Sequence, residues 1–92
     1  MTVTIGDITF DRVRYDAGGD VLYLHVGDPG DAVDFDESPE GHHLRFDADE
    51  NLVGVTIVNA KWLLDQEGKI TLTVPERLEV GPDALGSALA AA

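Results

Sequence analysis

The sequence predicts a mainly β domain of the α+β class, a small antiparallel β-sheet built from hairpins with a short C-terminal helix. Tyr15-Asp16 followed by Asp20-Val21-Leu22-Tyr23-Leu24 reads as strand, acidic turn, strand, and so does Phe46-Asp47-Ala48-Asp49-Glu50-Asn51-Leu52-Val53-Gly54-Val55-Thr56-Ile57. In both, residues that accept positive φ or bond their own backbone separate runs with apolar residues at period two. Beyond Gly81 the pattern changes: Pro82-Asp83 precedes Leu85, Ala88, Leu89 and Ala92 at helical spacing, with Asp83 near the helix N-terminus. A helix of about nine residues is too short to persist alone, so it must dock on the sheet.

The elements follow in order. Thr2 to Ile5 and Ile8 to Phe10 flank Gly6-Asp7, a pair suited to a tight hairpin with glycine at the first central position. Val13 and Tyr15 fall out of phase with Ile8 and Phe10, which predicts a bulge or break near Asp11-Arg12. In Val21 to Val26, Leu22, Leu24 and Val26 take the core face and Val21, Tyr23 and His25 the other. Gly27 to Asp31 is a loop, Ala32 to Glu37 a short charged edge strand, and Ser38-Pro39-Glu40-Gly41 ends it. His42, Leu44 and Phe46 point opposite to His43, Arg45 and Asp47, as in a half-buried antiparallel strand.

The return strand carries Val53, Val55 and Ile57 on one face and Leu52 and Val58 on the other, which predicts a central position. Glycine within a strand costs about 0.5–1 kcal/mol relative to alanine, so Gly54 marks a bulge or a bulky group packed over it, with Tyr15, Tyr23 and Trp62 as the candidate rings. Ala60 to Asp65 is too short for periodicity to choose between helix and strand. Ile70, Leu72 and Val74 alternate with Thr71 and Thr73 until Pro75 stops the strand.

At 92 residues the chain suits one domain, residues 1–92, and one modest core. It has no cysteine, hence no disulfide framework, thiolate metal site or thiol nucleophile. No apolar run approaches the roughly 18 residues of a membrane span and Met1 to Ile5 lacks a basic leader, so the expectation is a soluble, cytoplasmic protein. The formal charge is −12, and between Asp28 and Glu50 nine acids meet a single arginine. Such a surface disfavours nucleic acid and anionic lipid and favours a basic protein partner, although acids also serve plain solubility.

The two hairpins resemble the domain-of-unknown-function family numbered twenty-two eighty-three, of small, mostly bacterial and archaeal domains. The resemblance runs from about Val13 to Ala60 and rests on Tyr15-Asp16, Asp20-Val21-Leu22-Tyr23-Leu24, Glu40-Gly41, Phe46-Asp47, Asp49, Leu52-Val53-Gly54-Val55, Ile57, Asn59 and Ala60. It implies a β-rich domain of uncharacterised role, sometimes looking like the companion of a small toxin, with no catalytic residues to carry over. The chain departs from the pattern at Asn51, where a turn glycine is usual, and at Thr56, where glutamate is usual. Residues 61–92 form an extension, with a strand and a short helix, largely outside the resemblance.

The sites weighed are few. Asp47-Ala48-Asp49-Glu50-Asn51 looks like the start of a calcium loop, but Leu52 stands where that loop needs glycine and Val58 where it needs a bidentate glutamate, which favours a hairpin turn. Asp34, Asp36 and Glu37 lack a defined geometry for a cation. His42 and His43 face opposite sides of one strand, and His25 joins either only through tertiary pairing. Neither Ser38 nor Ser87 has a nucleophile signature around it. The expectation is therefore no catalytic residue, no metal and no cofactor. The chain reads as a non-enzymatic protein interaction module that self-associates as a homodimer, with Tyr23, Asp34, Asp36, Glu37 and Trp62 as partner-binding residues. The alternative is an antitoxin-like partner whose acidic rim, Asp31, Asp34, Asp36, Glu37 and Glu40, masks a small basic protein. A metal-dependent or hydrolytic enzyme is the third reading.

Overall fold

Hairpins dominate the molecule because the turn residues sit where the sequence reverses. The computed structural model describes residues 2–28, 30, 32–73 and 77–90. Strands β1 (Val3–Ile5) and β2 (Ile8–Phe10) pair around Gly6, whose φ of 59° places it at the first central position of the turn as expected. After a break at Asp11 come β3 (Arg12–Asp16), β4 (Val21–His25), β5 (Asp34–Glu37), β6 (His43–Phe46) and β7 (Leu52–Val58). These five form one antiparallel sheet in the order β3-β4-β7-β6-β5. The two-sided apolar strand β7 is central and the charged strand β5 is an edge. The short run left open by periodicity is a helix, α1 (Ala60–Glu67). A third hairpin, β8 (Ile70–Thr73) with β9 (Arg77–Val80), and the nine-residue helix α2 (Pro82–Ala90) complete the chain. The ends of two expected elements, Val74-Pro75 and Ala92, lie outside the described residues.

One face of the five-stranded sheet carries the core. Leu22, Leu24, Leu44, Val55 and Ile57 are buried against Val3, Ile5 and Phe10 of the first hairpin, Ile70, Leu72 and Val80 of the last, Ala60 of α1, and Leu85 and Ala88 of α2. The cover on this face is thus two hairpins and two helices, more than the single small helix expected from sequence. The register shifts between Arg45 and Phe46, so that Phe46 pairs with Leu52 and Leu52 packs against the core. Simple alternation puts Leu52 on the opposite face; the irregularity at the start of β7 turns it inward.

A long-range clamp ties the first large hairpin to α1. Asn59 precedes the helix in the left-handed region and makes no side-chain cap. The side chain of Asp20, at φ 54° in the β3–β4 turn, takes that role, accepting the N–H groups of Lys61 at 2.8 Å and Trp62 at 3.1 Å. The Asp20 carbonyl accepts the N–H of Ala60, and the Tyr15 hydroxyl donates to the Asp20 carboxylate at 2.6 Å. Burial opposes ionisation of Asp20, but the bonds from Tyr15, Lys61 and Trp62 outweigh it and hold its pKa below the usual value. The same hydrogen bond, with burial and the nearby charge, pushes the Tyr15 phenol up to about 12.

Candidate functional site

Paired residues of an antiparallel sheet share a face, so the register fixes what the side opposite the core presents. One row across it reads Arg12, His25, Gly54, Arg45, Phe35, and the next reads Arg14, Tyr23, Thr56, His43, Glu37. Three of the four arginines of this acidic chain therefore lie on one sheet face, together with two of its three histidines. None of the three arginines forms an ion pair with a carboxylate among the described residues. The Arg14 guanidinium instead lies over the Tyr23 ring, 5.2 Å from its centroid.

A depression of about 440 Å³ opens on this face, lined by Asp11, Arg12, Val13, Arg14, Tyr23, Leu24, His25 and Arg45. Three arginines against one aspartate leave it locally positive, and the Asp11 carboxylate is already engaged by the Gly27 N–H at 2.9 Å. His25 is only 6% exposed, and neither ring nitrogen has a hydrogen-bond partner. Gly54 explains how the ring fits: a Cβ there would stand 3.0 Å from His25 Cδ2 and 3.2 Å from Arg45 Cβ. The bulky group over Gly54 is thus the imidazole of His25 with the Arg45 stem. It is none of the rings of Tyr15, Tyr23 or Trp62, because the register brings His25 and Arg45 alongside Gly54.

The partner-binding residues named from sequence do not gather into one patch. Asp34 and Asp36 pair with Phe46 and Leu44, whereas Phe35 and Glu37 pair with Arg45 and His43, so the acids of β5 alternate between faces. All four β5 residues are exposed. Glu40 accepts the Thr73 N–H at 3.0 Å and hydroxyl at 2.8 Å, tying the last hairpin to the sheet. Slight desolvation raises its pKa, but the bonds from Thr73 prevail and hold it below the usual value. Asp31 of the expected acidic rim lies outside the described residues. Trp62 is exposed on α1, and Tyr23 is half-buried beside Arg14.

Of the remaining candidates, His42 and Asp47 make structural contacts. His42 is buried, its Nδ1 accepting the Val58 N–H at 3.3 Å, and burial pushes its pKa down. His43 stands on the opposite face, exposed. Asp47 accepts the N–H groups of Asn51 and Asp49, the Asn51 bond being the main cause of its lowered pKa. Its carboxylate thus closes a hairpin turn, and the left-handed residue of that turn is Glu50, at φ 65°, not Asn51. Among the described residues no three His, Asp or Glu side chains converge as metal ligands. Among them, too, no helix is long and apolar enough to cross a membrane.

A model of the family described as "Protein of unknown function (DUF2283)" matches residues 12–61. The chain belongs to the DUF2283 family. No curated protein and no solved structure matches it. The DUF2283 segment spans β3 to the start of α1, so it contains the whole five-stranded sheet, the Tyr15-Asp20 clamp and the arginine face. Thr56, where the resemblance calls for glutamate, lies on the open face between Tyr23 and His43, beside the Arg14–Tyr23 pair. Sequence reasoning missed the arginine face. The signal was present: in β3 and β6 each arginine occupies the phase opposite to the core residues Val13, Tyr15 and Leu44.

Proposed function

We propose that this protein is a non-enzymatic interaction module whose working surface is the open sheet face, and that this face docks an anionic segment of a partner protein. The observation that carries the reading is the row pattern of Arg12, Arg14 and Arg45 around Tyr23 and His25, without intramolecular carboxylate partners among the described residues. Arginine and tyrosine are the residues that anchor interfaces, through planar donors and amphipathic rings that lose little entropy when fixed. The charge of −12 on the whole chain opposes an acidic partner at long range, but screening reduces this beyond roughly 8 Å at physiological ionic strength. Within the depression three arginines outnumber Asp11, and at contact distance that local positive excess governs.

A self-associating module is the second reading, favoured by Val33 and Phe35, which are 56% and 71% exposed at the β5 edge. Direct β5–β5 pairing brings Asp34, Asp36 and Glu37 of one copy alongside those of the other, and like charges placed opposite one another destabilise a ladder. Stacking the open face on its own copy brings three arginines against three more. Both routes set like charges in direct contact, whereas an anionic segment on the arginine face meets only the screened, long-range repulsion of the whole chain. The antitoxin-like reading, in which the acidic side captures a basic protein, is separated by calorimetry with capped hexaglutamate and hexalysine peptides. The docking reading expects the glutamate peptide to bind, and the triple variant Arg12→Gln, Arg14→Gln, Arg45→Gln to lose at least about tenfold in affinity. Binding of the lysine peptide alone overturns it.

A further inference from the structure

We propose that His25, Arg12 and Arg45 form a site for a single oxyanion, the carboxylate or phosphate group of a ligand, within the open face. The proposal rests on the reading of that face as the working surface and adds the chemistry of its anchor point. His25 supplies the first argument. A neutral imidazole carries one N–H donor and one acceptor nitrogen, and leaving either buried without a partner costs about 1–3 kcal/mol. Both nitrogens of His25 are buried and unpartnered, in a ring 6% exposed that lines the depression.

Charge supplies the second argument. Arg12 flanks His25 directly in the row, and Arg45 flanks it across Gly54, whose missing side chain lets the Arg45 stem and the imidazole ring close over the same point. An ordered water placed among these groups satisfies hydrogen bonds but leaves two guanidinium charges uncompensated. An oxyanion does both, accepting from the His25 N–H and from the planar forks of the arginines. Because both ring nitrogens are covered, a side chain beside them turns aside as the ligand enters, a fast local motion.

The size of the ligand charge follows from the rest of the chain. The charge of −12 opposes each negative charge that lies beyond reach of the arginines, so the anchor point itself favours one compact oxyanion. A depression of about 440 Å³ is larger than one carboxylate or phosphate and leaves room for the group that carries it.

The test is a nitrogen-resolved NMR spectrum of the histidine rings, titrated with sodium acetate, with sodium phosphate, and with a capped Gly-Glu-Gly peptide, each against sodium chloride at matched ionic strength. The site is supported if acetate or phosphate shifts the His25 ring nitrogens saturably, and if Arg12→Gln and Arg45→Gln each weaken that binding by at least about tenfold while the buried His42 resonances stay in place as a check of the fold. A peptide that binds more tightly than acetate identifies a carboxylate on a partner as the source, and phosphate alone identifies a free phosphate-bearing ligand. The proposal is overturned if none of the three probes moves His25 beyond the chloride control, or if the arginine variants bind as the wild type does. Failure of the docking reading is distinct: hexaglutamate then leaves the open face untouched while acetate or phosphate still titrates His25.

Discussion

Replacing Asp20 by alanine perturbs the contact that joins the ends of the DUF2283 segment. The carboxylate caps α1 through Lys61 and Trp62 and receives the Tyr15 hydroxyl at 2.6 Å. Losing a helix cap costs about 1 kcal/mol, and losing the hydroxyl's bond to a charged acceptor about another 1.5. Alanine at φ 54° adds about 1 more, since a side chain without local hydrogen bonding fits the left-handed region poorly. The expected loss is about 3.5 kcal/mol, or a fall in Tm of very roughly 14–28 °C for a domain of this size. Asparagine at this position tolerates the left-handed backbone and still caps, so Asp20→Asn is expected to lose only about 1 kcal/mol. Because the folded pKa of Asp20 is lowered, its charged form stabilises the fold above the ordinary carboxylate pKa, and that stability is lost as pH falls through the folded value. Urea unfolding at pH 7 and pH 3 measures both effects; the difference between wild type and Asp20→Asn should shrink in acid. An Asp20→Ala loss below about 0.5 kcal/mol, half the cost of a single lost cap, would refute the clamp.

Three other outcomes follow from single residues. Tyr15, raised to about 12, is favoured in its neutral form by the fold, so stability present below pH 10 should fall as pH rises from there toward 12, and Tyr15→Phe should remove that alkaline limb in a spectroscopic titration. Gly54→Val drives a branched side chain into His25 and Arg45 and should cost about 2 kcal/mol or more by denaturant unfolding, with Gly54→Ala costing less because alanine also stiffens the unfolded chain. His42, buried and lowered in pKa, stabilises the fold above about pH 6.5 and loses that contribution as pH falls through its folded value, so His42→Gln should flatten the stability profile there.

What the sequence made legible was local. Gly6-Asp7, Asp47 to Asn51 and the alternation of β4 carry their structural meaning within a few residues, so the hairpins, the central β7 and the docking helix α2 could be read directly. What escaped depends on pairing between distant segments. Asp20 caps a helix forty-one residues away, and nothing near Asn59 announces that its own side chain makes no cap. The irregularity at Arg45 and Phe46 inverts the expected face of Leu52. The open face was hidden by the sum: a charge of −12 draws attention to the acids, whereas Arg12, Arg14 and Arg45 meet only when β3 and β6 are placed in one sheet. Gly54 signalled close packing correctly, but its partner His25 lay on a neighbouring strand.

The claim that the open face is the working surface is tested most directly by mapping backbone amide shifts during titration with capped hexaglutamate. The account predicts that the perturbed amides fall in Arg12 to Asp16, Tyr23 to His25 and His43 to Arg45, and that they vanish in the triple arginine-to-glutamine variant. Shifts confined to Asp34 to Glu40, or a response to hexalysine alone, would contradict it and assign the interaction to the acidic edge.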